Sequence, residues 1–308
     1  MFILAVELSG LDTEKRNPKS MNIDTLSTLE MAKLINSEDH LCAEAVKGVL
    51  PDIAHSIDVI YEHMRIGGRL FYCGAGTSGR LGVLDAAECP PTYGVEPDLV
   101  VGLIAGGDTA LLKAVEGAED NYTSGAADLK MHDFSSKDVL VGIAASGRTP
   151  YVIGAMDYAR ELGAPVIALV CCKDSAMSHH ADITIAPIPG PEVITGSSRM
   201  KSGTCQKMVL NMISTSVMVK SGKVFGNLMV DVKASNEKLV NRAISIVRTA
   251  TDEDENVVRG TLEKCDYHCK TAIVMLMLKI DVAEARELLE KSDGRIATAI
   301  QSFKGDKR

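Results

Sequence analysis

The stretch RLFYCGAGTSGRLG, residues 69–82, changes texture twice within fourteen positions. Residues 70–73 form a short apolar run with two aromatics, the pattern of a buried strand. It breaks into the glycine-rich loop Gly74-Ala75-Gly76-Thr77-Ser78-Gly79, and RLGVLDAAE after it reads as a helix. Strand, glycine loop and helix in that order open a parallel α/β unit. Cys89-Pro90-Pro91 is expected to end the helix, because proline removes an amide donor and crowds the preceding turn.

Downstream the unit repeats. LVVGLIAGG (99–107) reads as a second strand ending in glycines, ALLKAVEGAED (110–120) as a helix, and DVLVGIAASG (138–147) as a third strand. PYVIGAMDYAREL (150–162) is a helix with Pro150 in its first turn and Thr149 as N-cap. PVIALVCC (165–172) and ITIAPI (183–188) add two strands. Nearly all-apolar strands alternating with helices imply a doubly wound parallel sheet covered on both faces. Upstream, residues 23–64 carry helical spacing that stops at Gly67-Gly68. Residues 1–20 read as a flexible leader with Asn17-Pro18 as a breaker. Residues 198–221 and 236–248 read as helices, and from 251 short helices follow in quick succession. The expected organisation is a leader at 1–20, the main α/β domain at 21–249 and a small helical domain at 250–308.

The 308 residues leave room for that arrangement. A formal net charge of -8 disfavours phosphate-backbone binding, so no nucleic-acid partner is expected. Trp is absent and aromatics make up 4%, so a sugar here would be held by hydrogen bonds and charge rather than by stacking. No run of about 18 apolar residues offers a membrane span. The start, MFILAVELSGLDTEKR, lacks the basic residues and small-residue cleavage site of a signal peptide. Eight scattered cysteines fit buried, reduced thiols and a cytoplasmic setting. Cys171, Cys172, His179 and His180 lack CxxC or HxxxH spacing; they read as a strand end and a loop, and no metal is expected.

Ligands of an open parallel sheet bind beyond the carboxyl ends of its strands. Two loops there carry hydroxyls and glycines: Gly76, Thr77, Ser78 and Gly79 after the first strand, and Ser146, Gly147, Arg148 and Thr149 after the third. Backbone amides at a helix start, with hydroxyl donors beside them, suit a phosphate. The first loop lacks the lysine of a nucleotide P-loop. Gly74, Gly76 and Gly79 match GxGxxG spacing, but the next strand ends in Gly106-Gly107 where a dinucleotide fold wants an acid. Arg80 and Arg148 adjoin the loops, and the choice between phosphate and another carboxylate stays open for each. A third polar stretch at 192–207 holds Glu192, Ser197, Ser198, Arg199, Lys201 and Thr204 before an apolar helix. Glu88, near the expected helix end, would be kept protonated by the negative end of the macrodipole. Glu116, Glu119 and Asp120 form an acidic cluster, with Glu116 and Asp120 on one expected helical face; spacing alone does not choose Glu119 over Glu116. The seven histidines avoid these motifs.

The pieces CGAGTSGRLGVLDAAECPPTYG, AVEGAED, GIAASGRTPYV, GPEVITGSSRMKSGTCQK and GKVFGNLMVDVKASNEKLV resemble the bacterial N-acetylmuramic acid 6-phosphate etherases, from about Met21 to Ala299. The resemblance implies a sugar-isomerase-type doubly wound fold with a small C-terminal helical domain, acting as a homodimer on a phosphorylated amino sugar. The implied reaction gives N-acetylglucosamine 6-phosphate and D-lactate during cell-wall recycling. It has no redox step and needs no cofactor. Glu88 is implied as general acid to the departing lactate and Glu119 as the base at C2, and the stretch 192–207, with Glu192, Ser197, Ser198 and Lys201, is implied to help bind the phosphosugar. Cys172-Lys173-Asp174 stands where the family carries an Asn-Pro-Gly turn. Two other readings remain: a non-catalytic phosphosugar-binding regulator of the same ancestry, and an aldose–ketose isomerase.

Overall fold

The apolar run is a strand, β1 (Leu70–Gly74), and every residue of it is buried. Beside it lie β2 (Val100–Ile104), β3 (Val139–Ile143), β4 (Val166–Leu169) and β5 (Ile183–Ile185). The computed structural model describes residues 12–232, 234 and 236–305. All sheet pairings are parallel, in the order β2-β1-β3-β4-β5. Winding therefore reverses between β1 and β3, the position where open α/β sheets hold ligands.

The helices of this part are α1 (Thr28–Lys47), α2 (Leu50–Arg65), α3 (Gly76–Tyr93), α4 (Thr109–Leu112), α5 (Tyr122–Met131), α6 (Pro150–Glu161) and α7 (Lys201–Lys220). Ser27 and Glu30 form a capping box at the start of α1. Phe71, Leu140, Ala168, Tyr151 and Met156 belong to a core cluster in which the sheet meets α6. α5 and α6 meet at two glycines: a Cβ on Gly125 would stand 2.0 Å from the Tyr151 carbonyl oxygen, and one on Gly154 1.9 Å from that of Tyr122. Asp174 has φ 47°, so the turn after β4 keeps a left-handed residue although aspartate stands there.

Four expectations change. Residues 12–20 of the expected flexible leader are tied to the α/β core, while residues 1–11 lie outside the described residues. The buried Asn17 donates through Nδ2 to Glu38 (2.8 Å) and to the Pro191 carbonyl (3.2 Å), and Ser20 Oγ donates to the Val193 carbonyl (2.7 Å). Pro90-Pro91 does not end α3, which runs to Tyr93 and closes with the Gly94 amide donating to the Pro90 carbonyl (2.9 Å). Each proline removes an amide donor, but its φ, fixed at about −65°, is that of a helix, so the last turn continues through the pair. The expected helix at 110–120 is only the single turn α4 and a 3-10 turn at Ala118–Asp120. Lys113 is extended and Gly117 is left-handed (φ 71°), so Glu116 and Asp120 share no helical face.

The fourth change concerns organisation. Internal contacts divide the chain into one unit of the described residues up to Ala87 with Asp98–Ser214, and another of Glu88–Pro97 with Thr215 onward. The division falls within α7, not at 249/250. α8 (Glu237–Thr251) places Ala243, Ile244 and Val247 in one core with Val258, Leu262, Ile273 and Leu289. That core is closed by α9 (Glu255–Lys264), α10 (Cys269–Leu278), α11 (Val282–Lys291) and α12 (Ile296–Gly305). A hairpin of β6 (Val224–Phe225) and β7 (Leu228–Met229), unpredicted from sequence, turns on Gly226-Asn227.

Candidate active site

β1 ends at Gly74 and α3 starts at Gly76. Gly79 donates its amide to the Ala75 carbonyl (3.1 Å), and a Cβ on it would lie 2.7 Å from the Gly74 carbonyl oxygen. Gly79 thus serves the tight strand-to-helix turn, and its amide is not offered to a ligand. The amides of Gly76, Thr77 and Ser78 lead the helix, where no intrahelical acceptor exists. Gly76 has φ 53° and faces open space. The Ser78 hydroxyl, assigned to a phosphate from sequence, is buried and donates to Gln206 Oε1 (2.9 Å). Thr77 lies against Gly203, whose notional Cβ would sit 3.4 Å from Thr77 Cγ2. The start of α3 and the first turns of α7 therefore meet.

Glu192 and Lys201, also assigned to substrate, are buried within the protein. Glu192 accepts the amides of Lys201 and Ser202 and the Ser202 hydroxyl, each at 2.9 Å, and so caps α7 from a preceding loop. Lys201 Nζ donates to Glu38 (2.7 Å) and to the Pro189 carbonyl (2.9 Å). These two side chains hold the start of α7 in place rather than facing a ligand. Ser197 and Ser198 are half-buried in the turn before the helix, their amides donating to the carbonyls of Ile194 (2.9 Å) and Gly196 (3.0 Å).

The second loop follows β3, next to β1 in the sheet, with Gly74 paired to Ile143. Gly147 is left-handed (φ 63°), and its notional Cβ would clash with Ser175 at 2.4 Å. Its amide donates to the Ala144 carbonyl and its carbonyl accepts from Met177, so Gly147 too is a turn residue. Ser146 is half-buried and Arg148 exposed. Thr149 is the N-cap residue of α6 by backbone position, but its hydroxyl makes no capping bond. Cys171 and Cys172 are buried past β4, their sulfurs on the carbonyls of Ser202 (3.7 Å) and Ser146 (3.0 Å), and His180 pairs with Asp157. Among the described residues no group of three or more His, Cys, Asp or Glu is placed to hold a metal ion.

Beyond the ends of β1 and β2 a cleft of about 240 Å³ is lined by Gly76, Arg80, Ala105, Glu116 and Glu119. Arg80 is anchored there by its Nε donating to the Leu111 carbonyl at the end of α4 (3.0 Å). The break at Lys113 and Gly117 folds Glu116 and Glu119 back onto this cleft. It thus gathers a guanidinium, two exposed carboxylates and the open start of α3. Glu88 is exposed on α3, five residues before Tyr93. It lies more than a turn from the end of α3, beyond the reach of the macrodipole's negative end. By contacts it falls in the second unit.

Sequence reading missed a buried carboxylate in the first unit. Asp85 accepts from the Tyr72 hydroxyl (2.9 Å), Asn211 Nδ2 (3.1 Å) and Ser214 Oγ (3.1 Å). Burial pushes its pKa up, against the pull of those bonds. The signal was present: Lys207, Asn211 and Ser214 recur at spacings of four and three along the apolar α7.

The all-parallel sheet with hydroxyl-bearing loops at its reversal point is a doubly wound arrangement, and the family matches place the protein among the SIS-domain proteins. Residues 52–160 match the glucokinase regulatory protein N-terminal SIS domain family, and residues 120–216 match the SIS domain family. In fold the chain resembles a putative phosphosugar isomerase involved in capsule formation from Bacteroides fragilis, with TM-score 0.51 and 19% identity over 65% of this chain and 95% of that one. It is 57% identical over 301 residues to N-acetylmuramic acid 6-phosphate etherase of Photorhabdus laumondii, covering 98% of this chain and 100% of the relative. Identity to the Klebsiella aerogenes protein of the same name is 54% over 299 residues, covering 97% and 100%. The chain belongs to the N-acetylmuramic acid 6-phosphate etherase family.

Proposed function

We propose that this chain is a carbon–oxygen lyase that removes the lactyl ether of N-acetylmuramic acid 6-phosphate, giving N-acetylglucosamine 6-phosphate and D-lactate in amino-sugar recycling. Identity above one half along the whole of the named relatives supports that activity. The cleft that brings Arg80, Glu119 and the open start of α3 together is the observation that carries the site assignment.

Displacing an alkoxide directly from C3 is difficult. Opening the sugar ring exposes an aldehyde at C1 and makes the C2 proton removable. A base takes that proton, the C3–O bond breaks, and an acid protonates the departing lactyl oxygen. Water then adds at C3 while C2 regains a proton, so one water is consumed. Glu119 is the base and Glu88 the acid. The phosphate rests on the amides of Gly76, Thr77 and Ser78, with Thr77, Ser146, Thr149, Ser197 and Ser198 as hydroxyl donors around it. Arg80 pairs with the phosphate or the lactyl carboxylate. The enzyme acts as a cytoplasmic homodimer. Among the described residues no helix is long and apolar enough to cross a membrane.

The test is incubation with N-acetylmuramic acid 6-phosphate in deuterated water. D-lactate release with deuterium at C2 of the product is expected. Glu88→Gln should lower release by about 10²–10⁴-fold while C2 exchange persists; Glu119→Gln should lower both, with Glu116→Gln far milder. A phosphosugar that binds but yields no lactate would replace the lyase with the regulatory reading.

A further inference from the structure

The helical unit holds a cavity of its own, about 680 Å³, lined entirely by that unit's residues. Lys223, Asp231, His268 and Lys270 stand on its wall. Asp231 Oδ2 accepts from both lysines, at 2.9 Å from Lys223 Nζ and 2.7 Å from Lys270 Nζ. His268 Nε2 is 3.9 Å from Asp231 Oδ1, and its Nδ1 is bonded to Thr271 Oγ1 (2.6 Å). The Lys270 side chain is only 8% exposed. Of the other acids on the wall, Asp266 is exposed and holds Arg286 (2.9 Å), and Glu290 sits on the exposed rim.

Two ammonium groups therefore converge on one carboxylate oxygen. Lys270 is buried and Lys223 is 25% exposed, and the pair carries one more positive charge than Asp231 matches. Burial pushes the Lys270 amine down in pKa against the pull of Asp231, and the Lys223 ammonium beside it pushes the same way. Gly294 lines the cavity together with Lys270. Gly294 is left-handed (φ 70°), and the group nearest its notional Cβ is Lys270 Nζ, at 3.3 Å. α10 begins here as well, and its N-cap residue His268 gives it no side-chain cap.

We propose that this cavity binds a small phosphate monoester, its oxygens bridging Lys223 and Lys270 with His268 at the edge. Compact ammonium charges arranged around one point suit a tetrahedral phosphate. The volume lies within the range of small-molecule pockets, about 300–1,000 Å³, and leaves room for a sugar or polyol beyond the phosphate.

His268 reports on the site from within. Its imidazole proton resonance, assigned by its loss in His268→Gln, is followed in the full-length protein at constant ionic strength. The probes are inorganic phosphate and, separately, N-acetylglucosamine 6-phosphate. A saturable shift of the His268 signal is expected with both, tighter for the ester. Lys223→Gln, at a partly exposed position and checked for folding by circular dichroism, should weaken the ester by about tenfold or more. Equal affinity for the two probes would make this a free-phosphate site and overturn the assignment to an ester. A still His268 signal, or a shift untouched by Lys223→Gln, would overturn the site altogether.

Discussion

Ser78 and Gly79 stand in the loop that reads most like a phosphate cradle, and each is turned to the protein itself. Ser78 Oγ reaches Gln206, 128 positions away in sequence, and Gly79 lets α3 start hard against β1. The loop's existence was legible because glycines and hydroxyls after an apolar run mark a strand-to-helix turn. Which hydroxyls face outward was not, since a hydroxyl bonds whatever acceptor the fold brings near it. Ser78→Ala strands Gln206 Oε1 in a buried place. It should cost about 1–3 kcal/mol in denaturant unfolding while KM for the phosphosugar stays as in the wild type; a large rise in KM would return Ser78 to the ligand.

Elements carry the next level of decision. The segment 12–20, α1 and the start of α7 are joined at Glu38, whose side chain is almost wholly buried. Burial would raise its pKa, but hydrogen bonds from Lys201, Lys19 and Asn17 outweigh it and hold Glu38 at about 2, below its ordinary 4.5. A depressed carboxylate pKa contributes stability above the ordinary value, and that contribution fades as pH falls from 4.5 towards 2. Glu38→Gln leaves Lys201 buried without its counter-charge. It should cost about 3–5 kcal/mol at pH 7, with the gap to wild type narrowing in urea unfolding below pH 4.5. α5 and α6 present a different case, since their backbones touch at Gly125 and Gly154. Gly154→Ala should lower stability by about 1–3 kcal/mol, read as a fall in Tm. The helical periods of both were visible in sequence; their glycine-to-carbonyl contact was not, because it joins two helices across a strand.

For the whole molecule, eight cysteines, all free and buried, run through both units. Burial pushes the thiols of Cys73 and Cys171 above the ordinary range. A thiol reagent should find almost no reactive cysteine in the native protein and all eight in denaturant, and reductant should leave Tm unchanged; a reductant-sensitive Tm would reveal a disulfide. The strand-loop-helix repeats, the all-parallel class and the loops at the strand ends followed from the sequence by itself, because apolar period and glycine position act within a few residues. Tertiary structure alone decided the reversal between β1 and β3, the run of α3 through Pro90-Pro91, and the place of α8 in the helical core. It also decided which polar groups turn inward. Apart from the run through Pro90-Pro91, which backbone geometry within one turn allows, those outcomes depend on contacts between residues far apart in the chain, and a local pattern carries no record of its distant partner.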